Sequence, residues 1–202
     1  MSFSDNIWWT RKARVETEKR LLANSFQSQI LLLWYSLFGV GVSIYSLTTN
    51  LTSPEAWVTY SVLTLCMSVF ISGLSFKERA ALIKDSYEAL TGLYQQVKES
   101  EVETDNTSAK SSDTLKIFQN QYASIMEISE NHSDTDFAKA VCIAHCSSNE
   151  PFDSSSGLKK NLSKAPTNYM KFLVAIWYFK RFLLLTILYI TPILLGFYLD
   201  FR

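Results

Sequence analysis

Two long stretches without charge dominate the first half of this chain. No Asp, Glu, Lys or Arg lies between Arg20 and Glu55, and none lies between Glu55 and Lys77. Their apolar parts, Ile30–Leu47 and Ala56–Phe76, each approach the roughly 20 residues that an α-helix needs to cross the hydrocarbon core of a bilayer. Because only a short polar turn separates them, the pattern predicts a transmembrane helical hairpin.

A third uncharged run, Phe182–Leu199, lies near the C-terminus. The basic and aromatic segment that leads into it contains Trp and Tyr residues, which fit the headgroup level of a membrane. Composition alone hides this layout, because 19 basic and 19 acidic residues balance to a net charge of zero. We therefore predict an all-α integral membrane protein. It has a transmembrane hairpin with long cytoplasmic helical extensions, a small helical cytoplasmic segment and a C-terminal transmembrane helix.

The pattern divides the chain into three consecutive parts. Residues 1–98 form the two-helix unit with its cytoplasmic stalk, residues 99–167 a linker and a small helical segment, and residues 168–202 the basic-aromatic segment and last span. Within the middle part, the apolar spacing from Leu115 to Ile125 and the run Phe137–Cys146 each predict an amphipathic helix.

The second helix shows no stop signal at the membrane surface. Ile83, Tyr87, Leu90 and Tyr94 alternate four and three residues apart beyond the span, as the a and d positions of a coiled coil do. A helix that continues from Ala56 to about Lys98 would carry this seam on a stalk. We expect the seam to be buried against another helix, either of the same chain or of a neighbouring protomer in an oligomer.

The basic residues that flank the spans predict the orientation. Five precede the first span, none lies in the hairpin turn, and Lys77, Arg79 and Lys84 follow the second span. The N-terminus and both ends of the hairpin should therefore be cytoplasmic, with the turn and the C-terminus outside. Possible pairs four residues apart, such as Arg14–Glu18 and Glu16–Arg20, suit a solvated face on the N-terminal part of the first helix.

Small polar residues form a stripe along each helix of the hairpin. Their spacings of three and four residues place them on one helical face. In the first helix they are Ser36, Gly39, Ser43, Ser46 and Asn50, and in the second Ser61, Thr64, Ser68, Ser72 and Ser75. Two interpretations stay open: small residues let membrane helices pack closely, or in an oligomer the stripes line a water-filled path. Neither span holds an ionisable relay or ion filter, which argues against a pump or carrier.

Signals for catalysis and for cofactors are absent from the sequence. There is no phosphate-binding loop, zincin motif or glycine-flanked serine elbow, so we expect no enzyme and no cofactor. Basic clusters are too small for nucleic acid and suit anionic lipid heads. One group of Cys, His and Asp residues could bind zinc, but its spacing is not that of a zinc finger. Buried thiols beside a surface histidine explain the group more simply. It comprises Cys142, His145 and Cys146, with His132 and Asp136 upstream.

Several of these features together resemble one known family. They are the Arg11-Lys-Ala-Arg-Val-Glu-Thr-Glu-Lys-Arg-Leu segment, the striped first span with Tyr35-Ser36, the sequence Ser75-Phe-Lys-Glu-Arg-Ala80, and Tyr87-x-x-Leu-x-x-Leu-Tyr94. This arrangement, over about residues 5 to 98, is similar to the SLATT family of two-transmembrane effector domains from bacterial conflict systems. The C-terminal part resembles an extended subfamily with a third span.

The resemblance implies a function. Such an effector oligomerises and permeabilises the bacterial inner membrane when a partner senses phage, which kills or arrests the cell. The partner would be a sensor encoded nearby, of the nucleotidyltransferase or reverse transcriptase type. The alternative is a non-conducting scaffold or regulatory subunit that holds a cytosolic enzyme at the membrane. Conductance separates the two.

Overall fold

The chain is helical throughout the part that its computed structural model describes. That part comprises residues 2–48, 54–104, 111–152 and 158–200, without the side chains of 103, 104, 111–113 and 200. It contains α1 (Phe3–Ser46), α2 (Pro54–Gly73), α3 (Phe76–Thr104), α4 (Ser111–Glu127), α5 (Asp134–Ser147) and α6 (Asn168–Asp200). Three stretches are long and apolar enough to cross a membrane, one in each of α1, α2 and α6. The predicted all-α membrane protein is confirmed.

The helices group into two units that both draw on α1 and α6. The first, which we call the core unit, comprises α1 up to Leu21 and the segment Lys77–Trp177. The second, which we call the span unit, comprises Leu22–Phe76 and the chain from Tyr178 onward. No Gly or Pro precedes Gly39, so nothing in the sequence interrupts α1 where it passes from one unit into the other.

The N-terminal part of α1 is the buried centre of the core unit. Ile7, Ala13 and Leu21 are buried, and so is the charged side chain of Arg14. The predicted solvated face is therefore wrong. Arg20 forms its ion pair across the unit with Asp136 of α5, at 3.0 Å, instead of with Glu16. The spacing of alternating charges could not show that α3, α4 and α5 all pack on this helix.

Two apolar clusters hold the core unit together around α1. In one, Ile7 packs with the α3 residues Leu90, Leu93 and Val97, and aromatic side chains of α4 complete it. In the other, Trp9 packs with Val141 of α5 and with Leu162. Trp9 also donates a hydrogen bond from Nε1 to Ser163 Oγ at 2.8 Å. Each large apolar side chain buried here contributes about 1.5–3 kcal/mol.

The predicted continuous helix from the second span into the stalk is interrupted. α2 ends at Gly73, α3 begins at Phe76, and Ser75 between them has φ of 45°. The N–H groups of Leu74 and Ser75 donate to carbonyls only three residues back, at 3.2 and 3.3 Å. A left-handed residue after a tightened last turn is a usual way for a helix to end. The predicted linker, Glu99–Asp113, is helical at both ends, because α3 extends to Thr104 and α4 begins at Ser111.

In the span unit, α1 packs against both α2 and α6. The ring of Phe38 lies 6.1 Å from that of Trp57 in α2. A side chain on Gly196 of α6 would meet Phe38 Cζ at 3.0 Å. Glycine therefore lets α6 approach α1 closely at this point, as small residues do between membrane helices.

Candidate functional site

The two polar stripes face one groove in the span unit. The groove lies between α1 and α2 and has a volume of about 860 Å³. Most of the predicted stripe residues line it: Ser36, Gly39, Ser43 and Ser46 from α1, and Ser61, Thr64 and Ser68 from α2. Ser72 is exposed and is not among the lining residues, while Asn50 lies outside the described residues. The fold thus brings seven of the stripe residues to one surface, and their role there stays a prediction.

The stripe hydroxyls donate to the backbone of their own helix. Ser36 donates to Leu32 O at 2.8 Å, and Ser43 donates to Gly39 O at 2.9 Å. In α2, Thr64 donates to Tyr60 O at 2.9 Å. These bonds use the hydroxyl protons and cost little in a membrane helix. The hydroxyl oxygens keep their lone pairs, so the groove offers hydrogen-bond acceptors.

Aromatic residues, more than the stripes, join α1 to α2. The rings of Tyr35 and Tyr60 stack with centroids 6.1 Å apart and planes inclined by 7°. The Tyr60 hydroxyl donates to Tyr35 O at 3.0 Å. A Cβ built on Gly39 would lie 3.6 Å from the Tyr60 ring, which is ordinary contact. There is thus room for a methyl group at Gly39, so close packing does not require glycine here, and the stripe serines line the groove.

Two α1 side chains satisfy the backbone of α6 next to Pro192. A proline lacks the N–H that would bond to the carbonyl four residues back, which here is Leu188 O. The Tyr35 hydroxyl donates to that carbonyl at 2.9 Å, and Trp34 Nε1 donates to Tyr189 O at 3.1 Å. Side chains of a neighbouring helix thus replace the missing bond, as is usual for proline in membrane helices.

The charge of the groove limits what it can bind. None of the described residues that line it is Asp, Glu, Lys, Arg or His. The hydroxyl oxygens, whose protons bond to the backbone, can coordinate small cations only weakly, and no charged side chain among the described lining residues selects between ions. The arrangement suits water and unselective passage of small solutes, provided that further protein closes its open side.

The predicted seam of α3 is filled within the chain. Ile83 and Leu90 are fully buried, and Tyr87 and Tyr94 are half-buried. Partners of the seam come from α1 and α4. Burial and hydrogen bonding to Glu18 raise the pKa of Tyr87. The role of this seam between copies of the chain stays a prediction.

A buried polar cluster of the core unit escaped the sequence reasoning. Arg14 donates from Nη1 to Ser129 Oγ at 2.8 Å, and burial lowers its pKa. The Asp136 carboxylate accepts from Arg20 and from Thr17 Oγ1, the latter at 3.1 Å. Asp136 also completes a capping box with Ser133 at the start of α5. That box was readable as Ser-x-x-Asp before an apolar run.

The possible zinc set does not come together. Among the described residues, no three His, Cys, Asp or Glu side chains are placed to share a metal ion. Burial, and to a lesser extent Cys146, raises the pKa of Cys142. A raised pKa keeps this thiol protonated, whereas a metal ligand must be a thiolate.

The comparison with protein families agrees with this architecture. The model of SMODS and SLOG-associating 2TM effector domain family 5 matches residues 1–198. The match includes the α1–α2 hairpin, the core unit and nearly all of α6, so the third apolar helix lies within the family's region. No curated protein and no solved structure matches the chain. Because the matched region spans almost the whole sequence, the chain belongs to the SLATT family of two-transmembrane effector domains.

Proposed function

We propose that this protein permeabilises the bacterial inner membrane as the effector of an anti-phage system. Copies of the chain would assemble when a partner or signal triggers them, and loss of the membrane barrier would cause abortive infection. Family membership supports a membrane effector of a conflict system. The step from effector to pore rests on the groove.

The observation that carries this proposal is that both polar stripes face the same groove. A groove of about 860 Å³ with hydroxyl oxygens along both walls offers hydrogen-bond acceptors that water can use. Side-by-side copies would cover its open side and enclose the hydroxyls in a shared path. Ser68 marks the end of the lining in α2, and the exposed Ser72 lies one turn beyond it.

The proposed orientation follows from the flanking charges. With basic residues in the N-terminal part of α1, before its apolar span, and after α2, the core unit faces the cytoplasm and the hairpin turn faces outward. A cytoplasmic core unit is also where a sensor protein of the nucleotidyltransferase or reverse transcriptase type would act. The protein is then a multi-pass protein of the inner membrane with its N-terminus inside.

One observation favours the scaffold as a second candidate. The hydroxyls of Ser36, Ser43 and Thr64 already have backbone partners and do not need water. A scaffold that tethers a cytosolic enzyme would keep these stripes inert. Conductance is therefore the property to measure.

The test is depolarisation of cells after induced and triggered expression. Ser68→Leu places a bulky apolar side chain in the groove and should reduce depolarisation at least about tenfold, the factor that corresponds to about 1.4 kcal/mol. Ser72→Leu is the matched control, because it adds the same side chain to the same helix outside the groove. Wild-type protein that inserts, binds its partner and leaves the membrane potential unchanged would favour the scaffold.

A further inference from the structure

The break between α2 and α3 depends on the backbone of one residue. Ser75 has φ of 45°, and it is the only non-glycine residue with positive φ in the described part of the chain. A side chain at Cβ disfavours this conformation, which is why glycine usually occupies it. The neighbouring Gly73 has an ordinary φ, so the sequence places its glycine two residues before the position that needs one.

The sequence around the break is competent to form helix. Leu74 and Phe76 flank Ser75, and the first proline before it is Pro54. A Cβ on Gly73 would meet nothing within 4 Å. With Ser75 in the right-handed region, α2 and α3 would form one helix over Pro54–Val102, a stretch of 49 residues. The N–H groups that now reach only three residues back would then bond four residues back.

The break therefore stores local strain against an unbroken alternative. Strained backbone at a single residue persists where the surrounding structure holds it, and it is common in switch regions. Ser75 lies beside the point where the chain leaves the span unit and enters the core unit. The helix before it carries the polar stripe, and the helix after it carries the buried seam.

We propose that Leu74-Ser75 is a two-state joint, in which Ser75 converts from left-handed to right-handed backbone and joins α2 and α3 into one helix when the effector is activated. The broken form, seen in this structure, is the resting form. The joint itself is inferred from backbone geometry. Its effect on activation rests on the proposed function as a membrane effector. A trigger that acts on α3 would reach the groove through this joint.

A pair of substitutions at Ser75 biases the joint in opposite directions. Ser75→Gly removes the cost of positive φ and should favour the broken form. Ser75→Ala differs from the natural residue by one oxygen atom and should favour the unbroken helix. Gly73→Ala, which has open space for its methyl group, should act in the same direction as Ser75→Ala.

Spin labels on either side of the break measure the joint directly. Val69 and Glu88 are exposed and can be replaced by labelled cysteines after Cys66, Cys142 and Cys146 are changed to serine. Unbroken helix places these positions about 28 Å apart at 1.5 Å per residue, and a break gives a distance that departs from this value. Dilution with unlabelled protein in liposomes removes distances between copies.

We expect the population near about 28 Å to rise at least about threefold in Ser75→Ala over Ser75→Gly, because glycine is about 0.8–1.0 kcal/mol less favourable than alanine in a helix. Identical distributions in the two variants would overturn the joint, whether or not the protein conducts. Leakage of a trapped dye tests the coupling: Ser75→Ala should leak faster than wild type and Ser75→Gly more slowly. A distance shift with unchanged leakage would overturn the link to activation. If the distance shifts but neither the wild type nor any variant releases dye, the joint is supported and the proposed pore is contradicted.

Discussion

The Tyr35 hydroxyl of α1 donates a hydrogen bond to the Leu188 carbonyl of α6, the acceptor that Pro192 leaves without its helical partner. A carbonyl without a donor is costly in hydrocarbon, where no water replaces the bond. The same tyrosine accepts a hydrogen bond at its own carbonyl from Tyr60 of α2. Tyr35 thus joins all three apolar helices of the span unit.

The first prediction concerns this junction. Tyr35→Phe should destabilise the span unit by about 0.6 kcal/mol, and at most about 1.7 kcal/mol, the range for hydrogen bonds between membrane helices. In a Pro192→Ala background the helix supplies its own N–H donor, so the cost of Tyr35→Phe should shrink toward zero. Thermal unfolding in detergent measures both. If Tyr35→Phe lowers the stability equally in the two backgrounds, the Tyr35 hydrogen bond does not compensate for the proline.

The second prediction concerns the α3 seam. Leu90 is fully buried beside Ile7 and Leu93, so Leu90→Glu places an unpaired charge in the core unit. We expect a loss of about 3–5 kcal/mol in stability. Leu82→Glu is the control, because Leu82 lies on the same helix and is 47% exposed. Equal folded yields and melting temperatures for both variants would show that the seam is solvated.

The third prediction concerns the polar contacts that Asp136 of α5 makes with Arg20 and Thr17 of α1. Asp136→Ala removes the acceptor of Arg20 and Thr17 and half of the capping box. The expected loss of stability is about 3 kcal/mol or more, because buried donors lose their partner. Lys84→Ala breaks an exposed pair with Glu88 and should cost about 0–0.5 kcal/mol. A loss of stability as small as that of Lys84→Ala would mean that water readily replaces the contacts of Asp136.

The fourth prediction concerns pH. Burial, and next the Arg14 guanidinium, lowers the pKa of His132, while Asp136 and Asp134 oppose the shift. Below pH about 6.5 the unfolded chain therefore binds a proton that the folded protein does not. Stability of the core unit should fall as the pH decreases from about 6.5, until the pH passes the lowered folded pKa. His132→Gln should flatten this dependence in thermal unfolding. Matching slopes for variant and wild type would exclude His132 as the cause.

Sequence patterns predicted the features that depend on hydrophobicity and period. Uncharged runs marked the three apolar helices, and a spacing of four and three marked Ile83 and Leu90, which are buried. The spacing of small polar residues placed them on one face of each helix, and most of them line the groove. All of these are local consequences of helix geometry, which fixes the residues that share a face.

The features that escaped prediction depend on which elements meet in space. Arg14 looks like a solvated arginine until α4 and α5 cover it, and Asp136 looks like a loop residue until Arg20 reaches it. Gly73, where α2 ends, was a local signal for a helix end, but the periodicity continued past it and did not show the positive φ of Ser75. Burial of charge and strain in the backbone are set by tertiary packing, and a single sequence does not specify them.

The ion preference of the assembled protein tests the central claim, that the polar stripes line a conducting path. Flux or single-channel recording in liposomes compares wild type with Ser68→Asp and Ser68→Ala. A ring of carboxylates attracts cations, so Ser68→Asp should shift conduction toward cations, while Ser68→Ala should leave the preference unchanged. If Ser68→Asp assembles and conducts with the ion preference of the wild type, the stripe does not line the path and the account is contradicted.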